Sequence, residues 1–316
     1  MNSPPLRVGV FGVGSLGQWH ARIYSELEHV DLVGVYDVRP ERAREIAERY
    51  GTEPHTDIAA LAAEIDAASI VVPTDRHAAV FDALLPYGLH LLMEKPIASS
   101  TAEAEAMVRT AEEAGLILQV GHVERFNPVM QFLEENLTRP RFIEATRLAS
   151  YPPPRDGAPP RGTEVSVVLD LMIHDLEIIL HLMRSPVTAI NAVGVPVLSP
   201  TEDIANVRLG FANGGVANVT ASRISLEPTR KIRVFQEDTY LSLDYMNQAG
   251  RLCRKTPAGI DATVVPIEKG EPLAAELRAF VDCVRHRNDP LVSGRHGAEA
   301  LKLAVDICRR TRERPS

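Results

Sequence analysis

The chain has 316 residues, 45% of them hydrophobic and 24% charged, a balance that suits a soluble globular protein with room for two ordinary domains. A net charge of −8 and a pI near 5.7 exclude a general nucleic-acid binder, which would carry a basic excess. Three cysteines without a CxxC pair (Cys253, Cys283, Cys308) read as reduced thiols. No apolar run approaches the roughly 18 residues of a membrane span, and "MNSPPLRVGV" lacks the pattern of a signal peptide. A cytoplasmic protein without membrane or nucleic-acid partners is expected.

Up to residue 122, short β-rich runs alternate with helical patterns. The strands are "LRVGVFG", "VDLVGVYD", "ASIVVP", "HLLMEK" and "LILQVG". The helices between them are Ser15–Leu27, Pro40–Tyr50, Ile58–Ile65, His77–Tyr87 and Thr101–Ala114, the last opened by the capping-box spacing of Ser100 and Glu103. Such alternation predicts a doubly wound parallel sheet, a Rossmann domain over residues 1–122. From residue 123 the rhythm changes. Helices over Pro128–Leu137 and Val167–Met183 precede the strand candidates "FIEATRLAS", "ANVRLGF", "VANVTAS", "KIRVFQ" and "YLSLDY", with a turn at Asn213-Gly214-Gly215. Two amphipathic helices, Leu273–Arg287 and Gly297–Arg312, close the chain. Residues 123–316 therefore read as an α+β domain with a mainly antiparallel open sheet.

The first strand runs into Gly12-Val13-Gly14-Ser15-Leu16-Gly17 and then a helix. In that setting GxGxxG has a mechanism. Gly12 allows the tight turn, Gly14 lets backbone approach a pyrophosphate, Gly17 lets the helix pack close, and the helix N-terminus meets the phosphate charge. Asp37 closes the second strand, where a carboxylate binds a ribose 2′-hydroxyl and repels a 2′-phosphate, so NAD is favoured over NADP. Arg39 beside it weakens that preference. Val13 before Ser15 rules out a nucleophile elbow.

Two further clusters carry chemistry. Glu94-Lys95-Pro96 ends the strand "HLLME", and open α/β sheets bind ligands beyond the carboxyl ends of their strands. Lys95 can donate to a substrate oxygen and to the cofactor ribose, stabilising a developing alkoxide. Glu94 suits an orienting role, though an ordinary surface Glu-Lys pair fits the same letters. Expected cofactor contacts also include Pro73, Thr74 and His77 after the "ASIVVP" strand. In "LDLMIHD", Asp170 and His174 lie four apart on one helical face. A histidine there can take a proton from an alcohol, its reference pKa of about 6.5 suiting the task; a buried histidine satisfied by its neighbour is the plainer alternative. No HExxH or dense His/Cys set supports a metal.

Taken together, the glycine turn, Glu94-Lys95-Pro96 and Asp170-x-x-x-His174 resemble the Gfo/Idh/MocA family of NAD(P)-dependent oxidoreductases, along essentially the whole chain. That resemblance implies that Lys95 and His174 flank the reacting carbinol carbon with Asp170 close by, that Pro96 follows an unusual peptide bond, and that the chain forms a homo-oligomer, a dimer or tetramer. "GHVERFNPVM" with "LDLMIHDLEIIL" further resembles the branch that oxidises C3 of UDP-N-acetylglucosamine toward a 3-amino sugar nucleotide for lipid A. On that reading Arg125, Phe126 and Asn127 reach the sugar, and Arg147, Tyr151, Arg155 and Arg161 crowd a stretch able to pair with a diphosphate. A dehydrogenase of a free polyol such as myo-inositol, or an NAD-binding sensor without turnover, uses the same motifs. The arginines favour a nucleotide sugar, and the intact Lys95, Asp170 and His174 argue against a sensor.

Overall fold

Valine- and leucine-rich runs of four to seven residues build the first sheet. In a computed structural model that describes residues 4–154 and 160–313, β1 (Leu6–Phe11), β2 (Val30–Tyr36), β3 (Glu53–His55), β4 (Ala67–Ile70), β5 (His90–Glu94) and β6 (Leu118–Gly121) pair in the order β3-β2-β1-β4-β5-β6. All pairs are parallel. This is the doubly wound order, whose ligand crevice lies where the order reverses, between β1 and β4. The short edge strand β3 has no apolar run of its own (Glu-Pro-His), so nothing in its sequence announces it.

The crossover helices α1 (Gly17–Glu26), α2 (Pro40–Tyr50), α3 (Ile58–Ala62), α4 (His77–Leu84) and α5 (Thr101–Glu113) begin and end on local signals. Proline occupies the first turn of α2 and Gly51 closes it at φ +69°, the left-handed cap that glycine adopts without strain. At α5, Ser100 accepts from the Glu103 amide at 3.2 Å, while the Glu103 carboxylate reaches back to the Ser99 amide at 3.1 Å. The reciprocal bond thus falls one residue earlier than in a standard capping box.

The chain divides into two units, residues 1–123 with 271–298, and residues 124–270 with 299–316. A single boundary near residue 122 leaves out α8 (Pro272–His286), which groups with the first unit. Its Leu277, Phe280, Val281 and Val284 join a buried cluster with Val8, Val10, Ala21 and Tyr24. Apolar spacing locates such a stripe but not the sheet it covers.

The first-unit core also holds Glu276 of α8, which is fully buried with neither carboxyl oxygen reaching a protein hydrogen-bond donor. Burial, reinforced by the Glu94 charge, pushes its pKa well above the ordinary range. A carboxyl raised in this way contributes stability that is present in full below its unfolded pKa of about 4.3 and is lost as pH rises toward and through the folded value. Glu276→Gln keeps the shape without the charge. The variant is expected to melt above the parent at neutral pH, with the gap closing near pH 4; melts at several pH values check this, and a pH-independent gap would contradict it.

The second unit holds an eight-stranded sheet in the order β14-β13-β12-β11-β7-β10-β9-β8. Its strands are β7 (Phe142–Leu148), β8 (Val187–Val195), β9 (Ile204–Phe211), β10 (Val216–Ser222), β11 (Thr229–Phe235), β12 (Thr239–Asp244), β13 (Ala249–Thr256) and β14 (Gly259–Val264). Every pair is antiparallel except β7 with β10. Alternation buries Ile143, Ala145, Val207, Leu209, Ala217, Val219, Ile232 and Val234 on one face. The other face carries Arg233 donating to Glu144 at 3.0 Å and Asn206 donating to Thr220 at 2.9 Å, with stacked Phe235 and Tyr240 beside Phe142. α6 (Pro128–Glu135) and α7 (Ile173–Met183) belong to this unit, and α9 (Gly294–Arg312) contributes its residues from 299 onward. No helix among the described residues is long and apolar enough to cross a membrane.

Candidate active-site residues in the two units

Between β1 and α1, each glycine of Gly12–Gly17 meets a different steric demand. Gly12 sits at φ +91°, and a Cβ there would come within 2.8 Å of the Val71 carbonyl oxygen. At Gly17 a Cβ would overlap the Gly12 carbonyl oxygen, 1.8 Å away. Around Gly14 nothing lies within 4 Å of that position, the bare backbone a pyrophosphate needs. These residues fit a dinucleotide, with the amides that open α1 facing its phosphates.

Asp37, only 6% exposed, stands at the end of β2. Its Oδ2 accepts from the Val13 amide at 3.1 Å, and its Oδ1 from the Arg39 amide at 3.0 Å and Nε at 3.1 Å. The carboxylate thus anchors the glycine turn. Arg42, which nothing in "RPERARE" distinguishes from its neighbours, donates through Nε to the Val13 carbonyl at 2.8 Å. Asp37→Ala is expected to weaken NAD binding by about 1–3 kcal/mol, the scale of a lost charge-assisted hydrogen bond. Titration with NAD checks it; unchanged affinity would remove Asp37 from the cofactor site.

After β4, Pro73 and Thr74 lead into α4. His77 opens that helix and is buried, its Nδ1 3.2 Å from the Ile97 carbonyl oxygen and its Nε2 3.0 Å from that of Val72. Burial lowers its pKa despite those carbonyls. The expected cofactor contact is thus a ring already engaged by backbone.

Lys95 follows the carboxyl end of β5, and its bond to Pro96 is cis. Glu94 faces inward. Its Oε2 accepts from the Lys95 amide at 3.2 Å, and its Oε1 lies 3.3 Å from His20 Nε2. Burial raises the Glu94 pKa, but the His20 ring and the Lys95 charge outweigh burial and hold it below its ordinary value. Gly121 on β6 leaves room for it, since a Cβ there would lie 3.1 Å from the carboxylate. Glu94 is therefore an anion that accepts from the backbone amide of the lysine.

In the second unit the helix expected over Val167–Met183 is not uniform. Val168–Met172 forms a π-helical turn, closed by the Ile173 amide donating to the Val168 carbonyl, before α7 begins. Such turns insert one residue and concentrate at functional sites. Asp170 lies within the turn and His174 is the second residue of α7, both partly buried. The interrupted periodicity leaves no trace in the apolar pattern, because "VVLDLMIHDLEIIL" is hydrophobic on nearly every side.

Of the residues just after Glu124 expected to reach the substrate, Arg125 and Asn127 are bound to other protein groups. Arg125 is 3% exposed and donates to Glu177 Oε1 at 2.7 Å. Asn127 caps α6 by accepting from the Val129 amide at 3.2 Å, and its Nδ2 donates to Glu124 and to the Tyr245 carbonyl, each at 3.1 Å. Arg147 is 3% exposed and forms a two-pronged pair with Asp175 at 2.7 and 3.1 Å, plus a bond to Glu124 at 3.0 Å. Burial alone would raise the carboxyls and lower the guanidinium. Asp175 and Glu177 stay above their ordinary values, while the Arg147 pKa is driven up by its two anions. The structure places these side chains in a buried network of protein partners. Two of their acidic partners, Glu177 and Asp175, sit on α7, 52 residues from Arg125 and 28 from Arg147 in sequence, where no local signal pairs them.

Phe126 is half-buried, Tyr151 shares a hydrogen bond with Ser199 at 3.1 Å, and Arg161 is exposed. Arg155 lies outside the described residues. No group of three or more His, Cys, Asp or Glu side chains among the described residues is arranged to hold a metal ion.

Comparison with known proteins follows the same division. Residues 6–122 match the oxidoreductase family with an NAD-binding Rossmann fold, and residues 133–241 match the GFO/IDH/MocA C-terminal domain. The chain is 35% identical over 309 residues, 96% of each chain, to UDP-N-acetylglucosamine 3-dehydrogenase of Acidithiobacillus ferrooxidans. A solved structure of that enzyme superposes with a TM-score of 0.91 over 98% of both chains. Myo-inositol 2-dehydrogenase of Thermotoga maritima is 27% identical over 94% of each chain. With its doubly wound sheet, its dinucleotide turn and both matching domains, the chain belongs to the Gfo/Idh/MocA family of NAD-binding dehydrogenases.

Proposed function

We propose that the protein oxidises the C3 hydroxyl of UDP-N-acetylglucosamine to a ketone, with transfer of hydride to NAD. The observation that carries this reading is the 35% identity spread over nearly the full length of both chains. The inositol dehydrogenase likeness is weaker, at 27%, and makes a free polyol the second reading.

Bound NAD supplies the hydride acceptor. Within the chain, Asp37 and Gly12–Gly17 bind and orient the dinucleotide. Lys95, held at its backbone by Glu94, stabilises the oxyanion that develops on the substrate oxygen. His174 takes the hydroxyl proton at its imidazole, and Asp170 holds that ring in position. Tyr151 and Arg161 remain the described candidates for the nucleotide portion of the substrate, and Arg155 is a third in the sequence.

The setting that follows from this reading is cytoplasmic, on a route to 3-amino sugar nucleotides such as those of lipid A. Homo-oligomerisation through the polar outer face of the second sheet fits the reading, with the stacked Phe235 and Tyr240 as an apolar anchor. The deciding measurement is NADH appearance with UDP-N-acetylglucosamine, UDP-glucose and myo-inositol. Preference for UDP-N-acetylglucosamine is expected; turnover of myo-inositol alone would replace the nucleotide-sugar reading with the polyol one.

A further inference from the structure

Arg223, just past β10, is 2% exposed, among the largest fully buried side chains of the described residues. A guanidinium has five N–H donors, and here there are five acceptors. Nε donates to Asp203 Oδ1 at 2.8 Å, Nη1 to the carbonyls of Gly162 at 2.5 Å and Val165 at 2.9 Å, and Nη2 to Thr201 Oγ1 at 2.9 Å and the Glu202 carbonyl at 3.1 Å. Asp203 is fully buried and equally saturated. It accepts from the amides of Val197, Leu198 and Ser199 and from the Ser199 hydroxyl, at 2.6–2.8 Å. Burial would raise the Asp203 pKa, yet these donors hold it well below the ordinary carboxylate range.

Two of the segments that Arg223 and Asp203 tie together, 162–165 and 201–202, converge on the π-helical turn. Residues 162 and 165 belong to the turn of chain just before it, and Thr201 bonds the same stretch through the carbonyls of Thr163 at 3.3 Å and Val165 at 2.9 Å. The Glu202 carbonyl, held by Arg223, also accepts from the Val167 amide at 2.9 Å, which anchors the residue that opens the π-helical turn. Gly162 is buried at φ +81°, and a Cβ on it would lie 2.5 Å from Asp170 Oδ2 and 2.9 Å from its carboxyl carbon. Backbone at 162 is therefore one wall of the space the Asp170 carboxylate occupies.

We infer that Arg223, neutralised by Asp203, is a positioning residue for the reaction: it fixes the Gly162 backbone against the Asp170 carboxylate and so sets where that carboxylate points. The inference rests on the proposed role of Asp170 beside His174. A misplacement of about 1 Å at a reacting group costs on the order of 100-fold in rate, so small shifts at Gly162 are enough to be read kinetically.

The test uses Gly162→Ala, Arg223→Lys and Asp170→Ala, singly, with Gly162→Ala also combined with Asp170→Ala. Turnover and KM are measured with UDP-N-acetylglucosamine, and NAD affinity by direct titration. Gly162→Ala keeps both members of the ion pair while straining the backbone at φ +81°, so its folding is checked by its NAD affinity, and it gives a second reading if Arg223→Lys fails to fold. Expected are a fall in kcat of about 10- to 100-fold for Gly162→Ala and Arg223→Lys, with NAD affinity unchanged, and no further fall when Gly162→Ala is added to Asp170→Ala. If Asp170→Ala lowers kcat while Gly162→Ala does not, or lowers it equally in both backgrounds, the positioning role is overturned and the reading of the site stands. If Asp170→Ala itself leaves kcat unchanged, the reading of the site is what fails.

Discussion

Replacing His174 with alanine is expected to lower turnover by about 10²–10⁴, the contribution of a general base, while NAD still binds. The separation follows from where the two functions are built. On the proposed reading the dinucleotide contacts belong to the glycine turn and Asp37 of the first unit, whereas His174 stands on α7 of the second. Removing the imidazole would then take away the proposed proton acceptor without touching the turn. Because the base must be unprotonated to act, the rate of the parent enzyme should rise with pH through one ionisation, and that limb should be missing from His174→Ala. Stopped-flow turnover across pH, alongside NAD titration of the same samples, checks both. Wild-type turnover in the variant at neutral pH would leave the mechanism without its base.

Arg147→Met is expected to cost about 3–5 kcal/mol of stability, the scale of breaking a buried ion pair by removing one partner. Arg147 neutralises two buried carboxylates, Asp175 and Glu124, and each would be left in a medium that penalises its charge. An exposed pair gives the contrast. Arg233 with Glu144 is open to solvent, and pairs of that kind are worth about 0–1 kcal/mol. Acid should narrow the Arg147→Met deficit, since protonated carboxyls no longer need the guanidinium. Urea unfolding at neutral and acid pH measures both features. A loss no larger than that of Arg233→Met would show that the network contributes little.

The buried network also shows what the sequence of "GHVERFNP" leaves unsaid about its charged residues. Charged letters just past the final strand of a Rossmann sheet invite a ligand, and the physics of burial gives them a different use. Arginine inside a protein demands anions, and the anions are Asp175 and Glu177 of "HDLEIIL". From the letters alone, Arg125 and Arg147 look like exposed donors because pairing depends on which helix the fold brings against them.

The sequence by itself determined the elements whose signals are local. The β-strand and helix alternation gave the parallel sheet, the glycines of Gly12–Gly17 declared a turn with no room for a side chain at Gly12 and Gly17, and Glu94-Lys95-Pro96 marked the end of β5. Each of these rests on backbone geometry or on period, quantities that a few neighbouring residues set. Tertiary structure alone decided the rest. It returned α8 to the first unit, placed a π-helical turn under Asp170, and joined Arg223 to Gly162 across 61 positions of sequence. It also paired Arg125 and Arg147 with the acids of α7. Those outcomes depend on long-range burial, where the cost of an unpaired charge selects partners that no local pattern can name.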